Sequence, residues 1–402
     1  MTSLAILVVS PWRIPYDATM TPRRVAELHS YAEFVKHSDV RRENALGVGM
    51  AQLRAHPRVS DVQHMSSASI FTRSSLPKSW LVEWCRAMDH VLTAAASKTV
   101  ETGDSDADAV TPVCLWWSRN NCVTASLLSQ LRKARPRVVH VIFDWDLVFH
   151  ASASACHSTQ PPPPPPQYDV VCVTDDGGVY AAMSARCVYP AVYVPRSIRT
   201  PRDRTPRDFD VSFAANTLYR GVDTGTVPRL AAIRALAAAF GDRFALFGPS
   251  EIRDIAMRTD APACFRDYLP YTLIPWQAAT TNVCLCLSAS AQPRRYVNER
   301  LALMLACGAN VLCSRVMGYD EDDFLGPCGH IVTYVRTTDA NDLVAQVHAL
   351  LSEPECVREE RRARAYAFAQ AHFGDGAWAR GIVDAAAANI GHAQNLRKYV
   401  RA

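Results

Sequence analysis

The alternation of apolar runs with amphipathic segments constrains the fold of this chain more than any other feature of its sequence. The runs LAILVVS (4–10), VCLWW (113–117) and NVCLCLS (282–288) are apolar almost throughout, and segments with helical spacing lie between such runs. Strands that are apolar on both faces are typical of parallel sheets covered by helices on each side. The pattern therefore predicts an α/β fold.

One segment near the middle of the chain divides this alternation into two series. RSIRTPRDRTPRDFD (196–210) contains five arginines and two prolines and has no apolar periodicity, as expected for a domain boundary. We therefore predict two Rossmann-like domains in tandem that face a cleft, over residues 1–195 and 206–378. A closing helix over 379–402 is expected to pack back toward the N-terminal domain.

Two polar segments interrupt the N-terminal series. ETGDSDADAVTP (101–112) is short and polar and is predicted to be a loop. ASASACHSTQPPPPPPQ (151–167) contains six consecutive prolines, which exclude a helix or an interior strand. It is predicted to be a surface insertion with a polyproline II spine.

Composition limits the classes of ligand and cellular location. The 13 cysteines include no CxxC pair, so buried thiols in a reducing compartment fit better than zinc ligands or disulfides. A net charge of +4 without a basic block suits an anionic ligand such as a nucleotide and gives no reason to expect nucleic acid binding. No apolar run is long enough for a membrane span, so we expect a cytoplasmic protein.

The segment YVNERLALMLACGANVLCSR (296–315) predicts a short buried helix with a polar start. Asn298 suits the N-cap position, Glu299 favours the positive end of the helix dipole, and Gly308 suits the residue after the C-cap. In an open parallel sheet, a helix that follows a strand begins at the crevice where ligands bind, and its first amides are suited to phosphate. Capping without any ligand explains the same residues.

Arginines surround the predicted start of this helix. Arg294 and Arg295 precede it, and Arg300 lies in its first turn. The planar guanidinium group binds two phosphate oxygens at once, whereas no glycine-rich GxxxxGK[ST] phosphate loop occurs in the chain. The cluster predicts a diphosphate site that depends on arginine and main-chain amides.

In the N-terminal half, polar residues follow two predicted strands. Asp144 and Asp146 follow the run VVHVIF, and His150 comes shortly after them. Turn and cap positions explain the two aspartates equally well, and a surface position explains His150. Three further residues follow the first strand and are candidates for ligand contact, namely Ser10, Trp12 and Arg13. The ring of Trp12 offers a flat surface on which a sugar can stack, although ordinary packing explains it too.

The segment YVNERLALMLACGANVLCSRVMGYDEDDF (296–324) resembles the signature of GT-B glycosyltransferases, in particular the spore-maturation CgeB-like group and the group 1 type. The matching residues are Asn298, Arg300, Ala306, Cys307, Gly308, Arg315 and Gly318. DVSFAANTLYRG (210–221) and FALFGP (244–249) resemble the first two strands of the same domain, and AHFGDGAWARGIVDAA (371–386) resembles the segment before the closing helix. The resemblance is good over 206–390 and weak over 1–195.

The resemblance implies a hexosyltransferase-type enzyme with a nucleotide-sugar donor of UDP or GDP type. The implied donor-binding residues are Asn216, Arg220, Gly248, Arg294, Arg295, Asn298, Glu299 and Arg300. The acceptor, a glycan or another hydroxyl compound, is expected at the side of Ser10, Trp12 and Arg13. Asp146, Asp144 or His150 is expected to contact or deprotonate the acceptor hydroxyl, with no cofactor and no metal ion.

One position departs from the family pattern. In many relatives a glutamate that holds the ribose stands where this chain has Leu303. Glu299, one helical turn earlier, is a candidate substitute. The departure leaves two other functions open, a catalytically inactive protein that binds nucleotide sugar or glycan, and a nucleotide-sugar epimerase.

Asp144 and Asp146 also form the D-x-D motif that binds a metal ion in GT-A glycosyltransferases. A GT-A interpretation, however, leaves the resemblance of the C-terminal half unexplained.

Overall fold

A computed structural model describes more than half of the residues of the chain. The described residues are 3–10, 50–66, 78–101, 110–117, 125–143, 168–174, 187–188, 194, 207–215, 227–248, 250–258, 264–267, 269, 274–288, 295–316, 325–374 and 376–400. They form two compact units. The N-terminal unit takes in the described residues up to Val188 and those from Gly376 onward, and the C-terminal unit takes in those from Val194 to Gly374.

The described strands and helices alternate along most of the chain. The strands are β1 (Ser3–Ser10), β2 (Val59–Ser66), β3 (Val110–Trp117), β4 (Val139–Phe143), β5 (Val170–Cys172), β6 (Cys187–Val188), β7 (Phe209–Ala214), β8 (Phe244–Phe247), β9 (Phe265–Asp267), β10 (Thr281–Cys286), β11 (Val311–Ser314) and β12 (Thr333–Val335). The helices discussed below are α1 (Lys78–Glu101), α2 (Ala125–Ala134), α3 (Arg229–Phe240), α4 (Ser250–Arg258), α5 (Ile274–Thr280), α6 (Glu299–Ala306), α7 (Ala340–Leu351), α8 (Glu355–Phe373) and α9 (Ala377–Val400).

Within the described residues, the N-terminal unit has a parallel sheet of six strands in the order β2-β1-β3-β4-β5-β6. Helices cover both of its faces. On one face, α1 and α2 pack over Trp116 and its neighbours. On the other face, Trp378 near the start of α9 contacts Trp117 and Phe143, with ring centroids 5.0 and 5.5 Å away. Because α9 packs on β4, β5 and β6, the last helix completes this unit.

The described part of the C-terminal unit contains a second parallel sheet of six strands, in the order β12-β11-β10-β7-β8-β9. Counted from β7, this is the 3-2-1-4-5-6 order of the Rossmann fold. The strand order reverses between β7 and β10, and ligands of such sheets bind outside the carboxyl ends of the strands at this switch point. The two parallel sheets confirm the predicted α/β fold class.

One predicted loop is shorter than expected. The predicted polar loop 101–112 is shorter at both ends, because Glu101 is the last residue of α1 and Val110, Thr111 and Pro112 form the start of β3. Pro112 pairs with Ala5 of β1, whereas the pairing with β4 begins only at Val113. This end of β3 therefore has an open side, where a residue without an N–H group is tolerated.

A buried histidine lies in the core of the N-terminal unit. His140 of β4 is fully buried between Trp84 and Trp116, whose rings stack at centroid distances of 6.1 and 6.3 Å. Its Nδ1 accepts a hydrogen bond from Trp116 Nε1 at 3.3 Å. Burial, with a smaller contribution from the positive charge of Arg132, lowers the pKa of the His140 imidazole to about 3. The native protein therefore holds this residue neutral.

The stability of the N-terminal unit is expected to fall as the pH drops below 6.5, the ordinary pKa of histidine. The unfolded chain takes up a proton there, whereas the native state does so only near pH 3. Between about pH 7.5 and about pH 5, protonation of His140 in the unfolded chain should lower the free energy of unfolding by about 2 kcal/mol. Burial also lowers the pKa of His64, to about 4, so His64 contributes to the same pH dependence. Denaturant titrations of the wild type and of His140→Gln at both pH values separate the contribution of His140 from that of His64. An equal loss in both proteins would contradict the assignment.

In the part of the chain that the structure describes, no helix has both the length and the hydropathy needed to cross a membrane.

Candidate functional site

The first turn of α6 lies at the carboxyl edge of the C-terminal sheet, beside the switch point. Asn298 is the N-cap, with φ −73° and ψ 154°, and its side chain accepts a hydrogen bond from the N–H of Leu301 at 2.8 Å. Glu299 follows as an exposed residue, and Arg300 is partly buried. Helix first turns have amides without partners inside the helix, and these carry the positive end of the helix dipole. The predicted cap is therefore present, at an edge where ligands bind.

The end of α6 shows why the helix is short. Gly308 has φ 66°, the left-handed region that glycine adopts without strain. Its N–H donates to Leu305 O, and the N–H of Ala309 donates to Met304 O, each at 3.0 Å. This pair of bonds is the Schellman motif. It ends the helix directly before β11, as the sequence predicted.

A chain of hydrogen bonds ties the N-cap to the ends of two strands. Asn298 Nδ2 donates to Ser288 Oγ at 3.4 Å, and the Ser288 N–H donates to Ser314 Oγ at 3.0 Å. The thiol of Cys286 donates to Asn298 Oδ1 at 3.4 Å. Ser288, Ser314 and Cys286 are 5%, 2% and 1% exposed. The start of α6 is thus joined to the ends of β10 and β11 through buried side chains.

Two arginines bring positive charge to the same strand end. Arg229, the first residue of α3, is 6% exposed, and its Nη2 donates to Leu287 O at 3.0 Å. Burial raises the pKa of the Cys286 thiol, while the charges of Arg300 and Arg229 lower it. Both guanidinium groups therefore act on the end of β10. Arg229 was not identified from the sequence, because its position beside Leu287 depends on contacts that only the assembled sheet provides.

Arg295, a predicted donor-binding residue, has an unusual backbone conformation. Its φ is 52°, the one positive value among the described residues other than glycine. A non-glycine residue in this region costs of the order of 1 kcal/mol or more, and such residues concentrate at ligand sites. The strained residue lies three positions before the N-cap.

Gly248, at the end of β8, permits a close approach at the same edge. A Cβ atom there would lie 2.6 Å from Ala215 O and 2.6 Å from Ile252 Cγ1. Only glycine therefore fits between the end of β7 and the start of α4. Ala215 is the last described residue before Asn216 and Arg220.

Leu303, the departure from the family pattern, is 3% exposed and belongs to the buried face of α6. Glu299, one turn earlier, is exposed. The first turn of α6 therefore has an accessible carboxylate at Glu299, whereas position 303 contributes to the core.

Most of the other predicted site residues lie outside the described residues. They are Trp12, Arg13, Asp144, Asp146, His150, Asn216, Arg220 and Arg294. Ser10 is the last residue of β1, which places its backbone at the carboxyl edge of the N-terminal sheet. The catalytic and acceptor-side assignments remain predictions. Within the described ranges, no group of three histidine, cysteine or acidic residues is placed to hold a metal ion.

Comparisons with known proteins bear on the fold and on the family of the C-terminal region. Residues 229–383 match a family model described as glycosyl transferase-like, and no curated protein matches the chain. A glycosyltransferase of Rickettsia africae superposes with a TM-score of 0.53 and 10% identity, over 97% of this chain and 99% of the other. Sucrose-phosphate synthase of Thermosynechococcus elongatus gives 0.51 and 14%, over 99% of both chains. Anabaena HepE, in complex with UDP and glucose, gives 0.52 and 9%, over 96% and 100%.

The chain has the GT-B fold. The matched family region begins at Arg229 and contains all of α6 together with β10 and β11. The resemblance seen in the sequence is confirmed at the level of fold and family region.

Proposed function

We propose that this GT-B protein transfers a sugar from a nucleotide-diphosphate sugar, of UDP or GDP type, to the hydroxyl group of a glycan or similar acceptor. One observation carries the proposal. The capped first turn of α6, which contains Arg300, is hydrogen-bonded to the end of β10, where Arg229 also donates to Leu287 O, inside the glycosyl transferase-like region. A diphosphate is the ligand that suits helix amides and guanidinium groups together.

The proposed reaction needs positive charge at the leaving group. The acceptor oxygen forms a bond to the anomeric carbon, and the bond from that carbon to the diphosphate oxygen breaks. Negative charge then develops on the nucleoside diphosphate, where Arg300 and the first amides of α6 would stabilise it. Glu299 would accept hydrogen bonds from the ribose hydroxyls. Asp144, Asp146 or His150 would take the proton of the acceptor hydroxyl.

Buried Leu303 favours a second candidate function. With no carboxylate at the position that holds ribose in many relatives, a protein that binds the nucleotide sugar without transferring the sugar fits the same site. Release of nucleoside diphosphate and labelled product distinguishes transfer from binding.

Donor turnover is expected to proceed without a divalent metal ion, because arginines and helix amides supply the positive charge. The experiment incubates the protein with UDP- and GDP-sugars and candidate glycans, with and without EDTA, and follows nucleoside diphosphate by mass spectrometry. A thermal-shift series with UDP and GDP on the same protein reports binding without turnover. Loss of turnover in EDTA with recovery in manganese would instead favour a metal ion on Asp144 and Asp146.

A further inference from the structure

We propose that Ser314 is a positioning residue for the donor site, acting through Ser288 and Asn298 on the first turn of α6. The inference rests on the proposed function, and it concerns a residue that does not itself touch the ligand. Ser314 is 2% exposed and ends β11, a different strand from the one that leads into α6.

The hydroxyl of Ser314 continues the pairing of two strands beyond their ladder. The β10–β11 register ends at Cys286 and Cys313. Two residues further, the N–H of Ser288 donates to Ser314 Oγ at 3.0 Å, which holds the end of β10 against β11 after the main-chain pairing has stopped. Since a buried N–H without a partner is costly, this bond holds the backbone of Ser288 in position at the end of β10.

Ser288 then transmits this position to the helix cap. Its Oγ accepts from Asn298 Nδ2 at 3.4 Å, while Asn298 Oδ1 accepts from Leu301 N–H and from the Cys286 thiol. Both ends of the Asn298 amide are occupied, so its orientation is determined by the strand ends rather than by the helix alone. Arg229 holds the adjacent carbonyl of Leu287. Linked hydrogen bonds of this kind reinforce one another.

The consequence concerns affinity more than folding. Amides that bind a diphosphate act best when their direction is set before the ligand arrives. Without the Ser314 hydroxyl, the end of β10 and the Asn298 cap would sample other orientations, and part of the binding free energy would be spent on ordering them.

A matched control exists in the same sheet. Ser212 of β7 is fully buried, and its Oγ accepts from Gln277 Nε2 at 2.8 Å, but its hydrogen bonds do not reach the α6 cap. Ser212→Ala therefore removes a buried hydroxyl from the same core without touching the chain from Ser314 to Asn298.

The experiment compares Ser314→Ala, Ser314→Thr and Ser212→Ala with the wild type, by calorimetric titration with UDP and GDP and by melting temperature. Ser314→Ala should weaken binding of the preferred diphosphate by about three- to tenfold, and Ser314→Thr should restore most of it. Ser212→Ala should lower the melting temperature without changing the affinity. In an Asn298→Ala background, Ser314→Ala should have little further effect on affinity, because both act through one path.

Hydrogen exchange on the free protein tests the positioning independently of any ligand. Ser314→Ala should speed exchange at the Leu301 amide, and Ser288→Ala should do the same if Ser314→Ala does not fold. The positioning role would be overturned if Ser314→Ala exchanged the Leu301 amide at the rate of the wild type. It would also be overturned if the wild type bound UDP or GDP and Ser314→Ala bound it with the same affinity. Faster exchange in a protein whose wild type binds neither UDP nor GDP would leave the positioning intact and remove the support for the proposed function.

Discussion

Arg361→Ala is expected to lower the free energy of unfolding of the C-terminal unit by about 3–5 kcal/mol, because it breaks a buried charged network. Arg361 of α8 is 3% exposed. Its guanidinium donates to Asn310 Oδ1 at 2.9 Å, to Glu353 Oε1 at 2.9 Å and to Gly329 O at 3.1 Å. The substitution leaves an amide, a carboxylate and a carbonyl without their partner, and each of these groups has lost part of its access to water.

Arg364→Ala provides the matched control on the same helix. Arg364 has a side chain that is 37% exposed, and it contacts His330 O at 2.8 Å and Glu360 at 3.5 Å. Water replaces such contacts, so the expected loss is about 1 kcal/mol or less. Denaturant unfolding of both variants measures the difference. Similar small losses in both would mean that solvent reaches the Arg361 network.

Much of the fold prediction rests on the pattern of apolar residues, and the strands that this pattern does not identify, β2, β6 and β9, have one physical feature in common. The strands β1, β4, β7 and β10 are buried on both faces, so their own composition identifies them. β2 (VSDVQHMS) contains polar residues because it pairs with β1 on one side only, at the edge of its sheet. β9 and β6 are three and two residues long and lie at sheet edges too, so their strand character depends on neighbours that are distant in sequence.

In the candidate site too, features that depend on local sequence were predicted, and features that depend on contacts between distant residues were not. The Asn298 cap and the Gly308 end of α6 follow from local geometry, and both were predicted from the sequence. Ser314 and Arg229 come from other elements, and only the assembled sheet brings them to Ser288 and Leu287. A buried serine and an arginine in an apolar helix are common, so single-sequence reasoning has no basis for joining them.

Arg300→Ala is expected to weaken binding of UDP or GDP by about 10- to 150-fold, the range that corresponds to losing a charged hydrogen bond. Arg300 lies in the first turn of α6, and its positive charge lowers the pKa of the Cys286 thiol at the end of β10, against the larger effect of burial, which raises it. Glu299→Ala should weaken binding by a similar factor if the exposed carboxylate holds the ribose. Neither change should alter the melting temperature of the free protein appreciably, since Glu299 is exposed and Arg300 is partly exposed.

Calorimetric titration of three variants decides this prediction. Arg234→Ala removes an exposed arginine from α3 of the same unit, and it should leave the affinity unchanged if the effect of Arg300 is local rather than a consequence of net charge. Arg300→Lys keeps the charge but loses the planar pair of donors, so its affinity should lie between those of Arg300→Ala and the wild type. Equal affinities in the wild type, Arg300→Ala and Glu299→Ala would mean that Asn298, Glu299 and Arg300 only begin a helix, and that the donor binds elsewhere.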